Sequence, residues 1–325
     1  MADVYVTLAD LAKRQKYGGG IDDIIEVLSA SNPILQDAPV VEGNLPTGHR
    51  TTQRTTLPSG TFRGINEGVD TERSTTKQVD DTCALLEGYS AIDEELVRIA
   101  GDRAKFRASE DDAFIAGLSN TAATKIFEGN SNTTPKEFLG LEARYSSLGT
   151  YCLSASGSGS DNTSIWIIKW SPLTAHLIFP KGTKGGLESK DLGLIPWEDS
   201  NNKHYMAWVT QFIWHLGLTI RDYRYVARVC NIDTSELTSD ASAGTDLMDK
   251  MLDAYYTVPS QDLGKMAKTF VYCNKTVAKY LHKQAMNKAN VNLTLREAAG
   301  KVVTHFLEAP IHICDAIGDD ESTIS

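Results

Sequence analysis

The feature that most limits how this chain can fold is the stretch NLPTGHRTTQRTTLPSGTFRGINEGV, residues 44–69. It is rich in Thr, Gly and Arg and nearly free of large apolar side chains, so it cannot build a core of its own. Thr47, Thr51, Thr52, Thr55, Thr56 and Thr61 favour extended backbone. Pro46, Gly48, Pro58, Gly60 and Gly64 punctuate it as turn residues do. Read as a hairpin, it gives two arms of about 13 residues, each roughly 40 Å long at ~3.3 Å per residue. A lone two-stranded arm is not stable in water, so this one needs a neighbour.

The rest of the chain can supply a body. It has 325 residues, of which 41% are hydrophobic, enough for one large domain or two. Before the polar stretch, Thr7 caps a short helix through Lys16. A second helix carries Ile21, Ile24, Ile25 and Leu28 on one face and ends at Asn32-Pro33. After it, Val79, Cys83 and Leu85 begin a strand-like path, and IDEELVRIA reads as helix. SEDDAFIAGLSNTAATKIFEG (109–129) has the strongest helix pattern. Ser109 is the expected N-cap, Ile115, Leu118, Ala122 and Ile126 form a stripe, and Gly129 suits the C′ position. The Gly/Ser run 152–164 reads as a loop, and strands are expected at 165–170, 176–179, 205–214 and 218–232. Helices follow at 244–256 and 275–288, the latter capped by Asn274, with the buried strand TFVYC between them. HFLEAPIHICDAI is a closing strand, followed by a loose acidic tail.

Several function classes lose support. The balance of 42 acidic against 32 basic residues gives −10, which offers no footprint for sequence-specific nucleic-acid binding. No apolar run approaches the ~20 residues a membrane helix needs, and MADVYVTLADLAKRQ has no apolar signal core. The five cysteines are far apart, odd in number and without a C-x-x-C pair, as expected of reduced thiols in a cytosol. The sequons at Asn132, Asn162, Asn274 and Asn292 read as chance matches. GSGSDNTS and KGTKGG lack the spacing of a phosphate-binding loop and read as turns. His305, His312 and Cys314 are the best metal constellation, but no second close pair completes a tetrahedral site. No catalytic, cofactor or metal residues are therefore expected.

Taken in order, the motifs resemble the major capsid proteins of tailed bacteriophages, whose fold is shared with the herpesvirus shell protein. FRGINEGV…STTKQVDDTCALLEGYSAIDEELV is similar to the stretch by which that family leaves its extended E-loop and re-enters the body. SEDDAFIAGLSNTAATKIFEG resembles its spine helix. DLMDKMLDAYYTV…KTFVYCNKTVAKYLHKQA resembles its axial-domain helix, strand and helix. FLEAPIHICDAI resembles its late strand, with Ala309 where Gly is usual. PTGH, SGSDNTSIW, FPKGTKGGL and LTIRDYRYVARV are close to short-tailed phage coat proteins. The strands that usually close such a chain here precede the axial-type helices, which implies a rearranged (permuted) connectivity.

The resemblance implies an α+β fold with an N-terminal arm (1–45), an E-loop (46–88), a peripheral domain with spine helix 109–128 (89–235), an axial domain (236–318) and a tail (319–325). It implies a major capsid protein that self-assembles as pentamers and hexamers into an icosahedral shell around double-stranded DNA, which it does not bind sequence-specifically. The shell would be assembled in the host bacterial cytoplasm and form part of the virion. A separate scaffolding protein, a portal and a cementing protein are the expected partners, with no membrane. Arg50, Arg54, Arg63, Glu67 and Arg73 are the expected inter-subunit contacts. Some relatives link an E-loop Lys covalently to a neighbouring Asn. Residues 44–76 hold no Lys, so no such link is expected. The rival readings are a cytosolic α/β enzyme with residues 44–69 as its lid, and another virion structural protein.

Overall fold

A computed structural model describes residues 32–199, 201–237, 247–261, 267–286, 293–298 and 301–325. The helices expected over 7–16 and from Ile21 to Leu28 lie outside the described residues. The chain runs through α1 (Ile34–Asp37), β1 (Val40–Glu42), β2 (Gly48–Thr56), β3 (Thr75–Asp93), α2 (Glu94–Ile99), α3 (Arg103–Glu128) and α4 (Leu141–Arg144). Next come β4 (Cys152–Ser154), β5 (Asn162–Trp170), β6 (Ala175–Phe179), β7 (Leu187–Glu198), β8 (His204–Ile220) and β9 (Val226–Asp233). α5 (Leu247–Thr257), β10 (Lys268–Cys273), α6 (Lys275–Met286), β11 (Leu293–Ala298), β12 (Lys301–Phe306) and β13 (Ala309–Ile313) complete it.

β5 organises the interior. It reads as a near-continuous apolar run and is buried along its whole length, as a strand covered on both faces must be. Its alternation divides two cores. Trp166, Ile168 and Trp170 point into one, with Ala122, Ala123, Ile126 and Phe127 of α3 and Leu216 and Leu218 of β8. Ile165 and Ile167 point into the other, with Leu247 and Met251 of α5, Val277 and Leu281 of α6, and Ile311 of β13. Each large apolar side chain so buried contributes about 1.5–3 kcal/mol. The second core draws on residues either side of 235/236, so the strands before that position and the helices after it pack as one body. Lys169, on the same strand, donates to the carbonyls of Pro259, Ser260 and Gln261 at 3.1–3.3 Å, placing a cation just beyond the C-terminus of α5.

Several expected boundaries are corrected. α3 begins at Arg103, not at 109, and its cap is Asp102, which accepts the Lys105 amide at 3.0 Å. Ser109 lies inside the helix and its hydroxyl donates to the Phe106 carbonyl. The first turns were hidden by their charge, since Arg103 and Arg107 lie over the face of Trp208 at 4.3 and 5.2 Å rather than forming an apolar stripe. Gly129 ends the helix at φ −53°, not in the left-handed region. It is glycine because the strand of chain at Gly140 passes against it. A Cβ on Gly129 would stand 2.4 Å from the Lys125 carbonyl, and one on Gly140 would stand 2.7 Å from that of Phe127.

The run 218–232 is not one strand. Ile220 ends β8, and Asp222 caps a single 3-10 turn, Tyr223–Tyr225, before β9 begins. HFLEAPIHICDAI is likewise a hairpin turning at Leu307, whose φ is +55°. The Gly/Ser run contains β4, which pairs in parallel with β9, and β7 pairs along β8 where no strand was expected. Asn274 does cap α6, its Oδ1 accepting the Val277 amide at 2.8 Å.

The tail is not loose. Glu321 and Arg228 form a buried ion pair of 2.8 Å, with side chains 8% and 3% exposed. Arg228 also donates to Ser164 Oγ and to the Tyr145 carbonyl, both at 2.9 Å, and Ser164 bonds Glu321. Asn231 closes the end of the chain by exchanging two hydrogen bonds of 2.8 Å with the Ile324 backbone.

Candidate functional site: the extended arm and its base

The polar stretch forms an arm, though not within its own 26 residues. β2 pairs antiparallel with the start of β3, from Gly48↔Thr82 to Thr56↔Thr75, so the return limb lies beyond residue 69. Threonines fasten the outer rung. The Thr75 hydroxyl lies 2.7 Å from that of Thr55 and 2.8 Å from that of Thr56. β3 then continues through Asp93, pairing with β8 from Cys83 onward, so one strand carries the arm and anchors it in the body.

Every residue from 54 to 78 is exposed. The tip, 57–74, contains no strand and is tied only locally. Glu72 accepts the amides of Ser59 and Gly60 at 2.6 and 3.2 Å, and these bonds hold its carboxyl below the usual range. Glu67 accepts the Gly64 amide, and Arg63 donates to the Glu67 carbonyl, both at 2.9 Å. Leu57, Phe62, Ile65 and Val69 stand in solvent, with Phe62 at 106% and Ile65 at 94% of reference exposure. Sequence reasoning passed over these four because the surrounding polarity masked them. Their isolation in that polarity was the signal.

The expected contact residues fall into two groups. Arg50 makes a bidentate pair with Asp80 across the arm, at 2.6 and 2.7 Å, and Arg63 and Glu67 hold each other's turn. Arg54, on β2, and Arg73, in the tip, have no ion-pair partner among the described residues and stand exposed.

The base of the arm is polar. Gln53 donates to the Arg221 carbonyl at 2.9 Å. Asp81, 3% exposed, pairs with Arg144 at 2.7 Å, and Arg144 also donates to the Leu218 carbonyl. His49 meets His176 edge to face, 5.7 Å between ring centroids. Burial, then the neighbouring His49, brings the pKa of His176 down to about 4, and burial and Arg221 lower that of His49, so both rings are neutral at neutral pH.

The motifs tested for chemistry have structural roles. Asp233 accepts the Gly159 amide in the Gly/Ser loop, and Glu42 accepts the Gly182 amide in KGTKGG. His312 binds Asp37 at 2.7 Å and Cys314 donates to Asn32, while no group of three metal-type ligands occurs among the described residues. All five thiols are free. Cys152 and Cys230 lie 3.6 Å apart, and burial pushes Cys273 and Cys314 up to about 12. Among the described residues no helix is long and apolar enough to cross a membrane.

An arm without a core, joined to a body with two cores, is a subunit shape suited to lattice building. Comparison with known proteins gives that shape a family. The chain is 34% identical to a chain of bacteriophage Epsilon15, with a TM-score of 0.78 over 100% of this chain and 98% of that one. It also shares its fold with the capsid of bacteriophage JBD30, at a TM-score of 0.53 and 10% identity over 96% of this chain and 99% of the other. A comparison with curated proteins found no match. The family model described as Major capsid protein GP7 matches residues 16–325, nearly the whole length, and the chain belongs to that family of capsid shell proteins.

Proposed function

We propose that this capsid protein assembles as pentamers and hexamers of an icosahedral shell around double-stranded DNA, with the exposed part of each arm, residues 54–78, lying on an adjacent subunit. The observation that carries this reading is the unbroken exposure of residues 54–78 in an arm whose return strand, β3, is rooted in the body. A segment without its own core is ordered by burying itself on a partner, so its stability belongs to the assembly. Arg54 and Arg73 are the proposed inter-subunit cations, while Arg50, Arg63 and Glu67 shape the arm and meet the neighbour through its outer surface.

The role is structural rather than enzymatic. The acidic balance of −10 suits a container for DNA, because a strongly basic lumen would grip the genome non-specifically. Assembly in the host bacterial cytoplasm, guided by a separate scaffolding protein and built on a portal, with a cementing protein on the finished shell, completes the proposal. The test replaces residues 57–74 by a two-residue turn and expresses the chain beside the wild type and its scaffolding protein. Folded subunits that form no shells are expected. Shells of normal size and stability from the shortened chain would overturn the reading.

A further inference from the structure

The two most exposed large apolar side chains described, Phe62 and Ile65, sit three residues apart at the arm's tip. The body carries a counterpart. Where β3 crosses the C-terminal half of α3, Leu85, Leu86, Ala122 and Phe138 line a cavity of about 150 Å³ that is mostly apolar. Leu85 at its edge is 53% exposed. The cavity lies below the ~300–1,000 Å³ typical of small-molecule sites and suits one anchoring side chain instead.

We infer that this cavity receives Phe62 from a second copy of the chain. The inference rests on the reading that the arm lies on an adjacent subunit, and it names the seat. Two observations support it. First, the arm cannot reach its own cavity. Thr56 pairs with Thr75 at the outer end of β3 and Phe62 lies only six residues beyond Thr56, whereas the cavity at Ala84–Leu86 starts nine residues along β3 toward the body, about 30 Å at ~3.4 Å per residue. Second, the charges are complementary. Lys136 stands exposed at the cavity's rim without an ion-pair partner among the described residues, and Glu67 and Asp70 follow Phe62 in the tip. Such a seat would place an aromatic side chain inside a rim of polar contacts, the arrangement that concentrates binding energy at protein interfaces.

The test pairs Phe62→Cys with Leu85→Cys in the full chain and oxidises assembled shells with diamide, which takes up the two thiol hydrogens as the S–S bond forms. With the native Cys83, two residues before Leu85, replaced by Ser throughout, a ladder of disulfide-linked multimers on a non-reducing gel is expected, and it should be absent from either single variant. Phe62→Cys paired with Tyr256→Cys, on α5, should give no ladder. Shells that link through Tyr256→Cys and not through Leu85→Cys would overturn the seat while leaving the arm on its neighbour. Linkage of Leu85→Cys to Ile25→Cys would give the cavity to the chain's own N-terminal segment and overturn the inference. Hydroxyl-radical footprinting of the unmodified protein covers the case in which the double variant does not assemble. Phe62 and Leu85 should both become protected on going from subunits to shells. Phe62 still oxidised in shells would overturn both the seat and the arm reading.

Discussion

The buried pair Arg228–Glu321 makes a quantitative prediction about what holds the C-terminal segment to the body. The two side chains are almost fully enclosed, meet at 2.8 Å, and share Ser164. The Arg228 guanidinium also lies 4.8 Å over the ring of Trp166 in the first core. Glu321→Leu strands a buried cation, and Arg228→Met strands a carboxylate near the acidic groups of Glu142 and Glu128. Removing one member of a buried pair costs about 3–5 kcal/mol, because the survivor keeps its desolvation penalty. The double variant removes both charges, leaves Ser164 without a partner and leaves the Tyr145 carbonyl only the Cys152 thiol, a loss of about 1–3 kcal/mol. The single losses sum to about 6–10 kcal/mol, so the cycle should show coupling of several kcal/mol. The assay is guanidinium unfolding of the unassembled full chain, comparing the four proteins. Single losses that add within about 0.5 kcal/mol in the double variant would refute the claim that the pair acts as a unit.

Other outcomes follow from the same structure. Burial, and then the nearby Glu321, raises the pKa of Glu142 from 4.5 to about 7, so the folded state holds a proton that the unfolded chain releases. Stability should therefore fall as pH rises from about 4.5 to 7, by up to about 3 kcal/mol. Glu142→Gln should remove that slope in thermal melts taken across the range, while equal slopes in the two proteins would contradict it. Asn274→Ala should cost about 1–2 kcal/mol in chemical denaturation, since it deletes the cap of α6 and a 3.2 Å bond to Thr163. Because the tip, residues 57–74, contains no Lys and Lys77 sits on the paired limb of the arm, shells boiled in detergent should run as monomer, and a higher band carrying a Lys–Asn bond by mass spectrometry would contradict that.

The parts of the fold legible in the sequence were those written in local pattern. The apolar run of β5, the buried end of the α3 stripe at Ala122 and Ile126 and the cap of α6 each follow from nearest neighbours, whereas Ile115, expected on the same stripe, is exposed. What stayed hidden depends on partners distant in the chain. β7 carries Gly193 and Pro196 and little alternation, and pairing along the edge of β8 makes it extended. Nothing near Leu307 announces a turn, yet the register of β12 on β13 and of β13 on β10 demands one. Glu321 looks like part of a solvated acidic end until the fold brings Arg228 beside it. The arm was legible as a stretch unable to bury itself, but its return limb was placed too early. Threonine-rich strands of uniform polarity carry no alternation to fix register.

The most direct test of the whole account is a density map of one assembled shell. The account predicts residues 57–74 ordered against an adjacent subunit, with Phe62 enclosed beside Leu85 and Phe138 and no density joining the chains covalently. A map in which that segment lies free in solvent, or folds back on its own subunit, would contradict it.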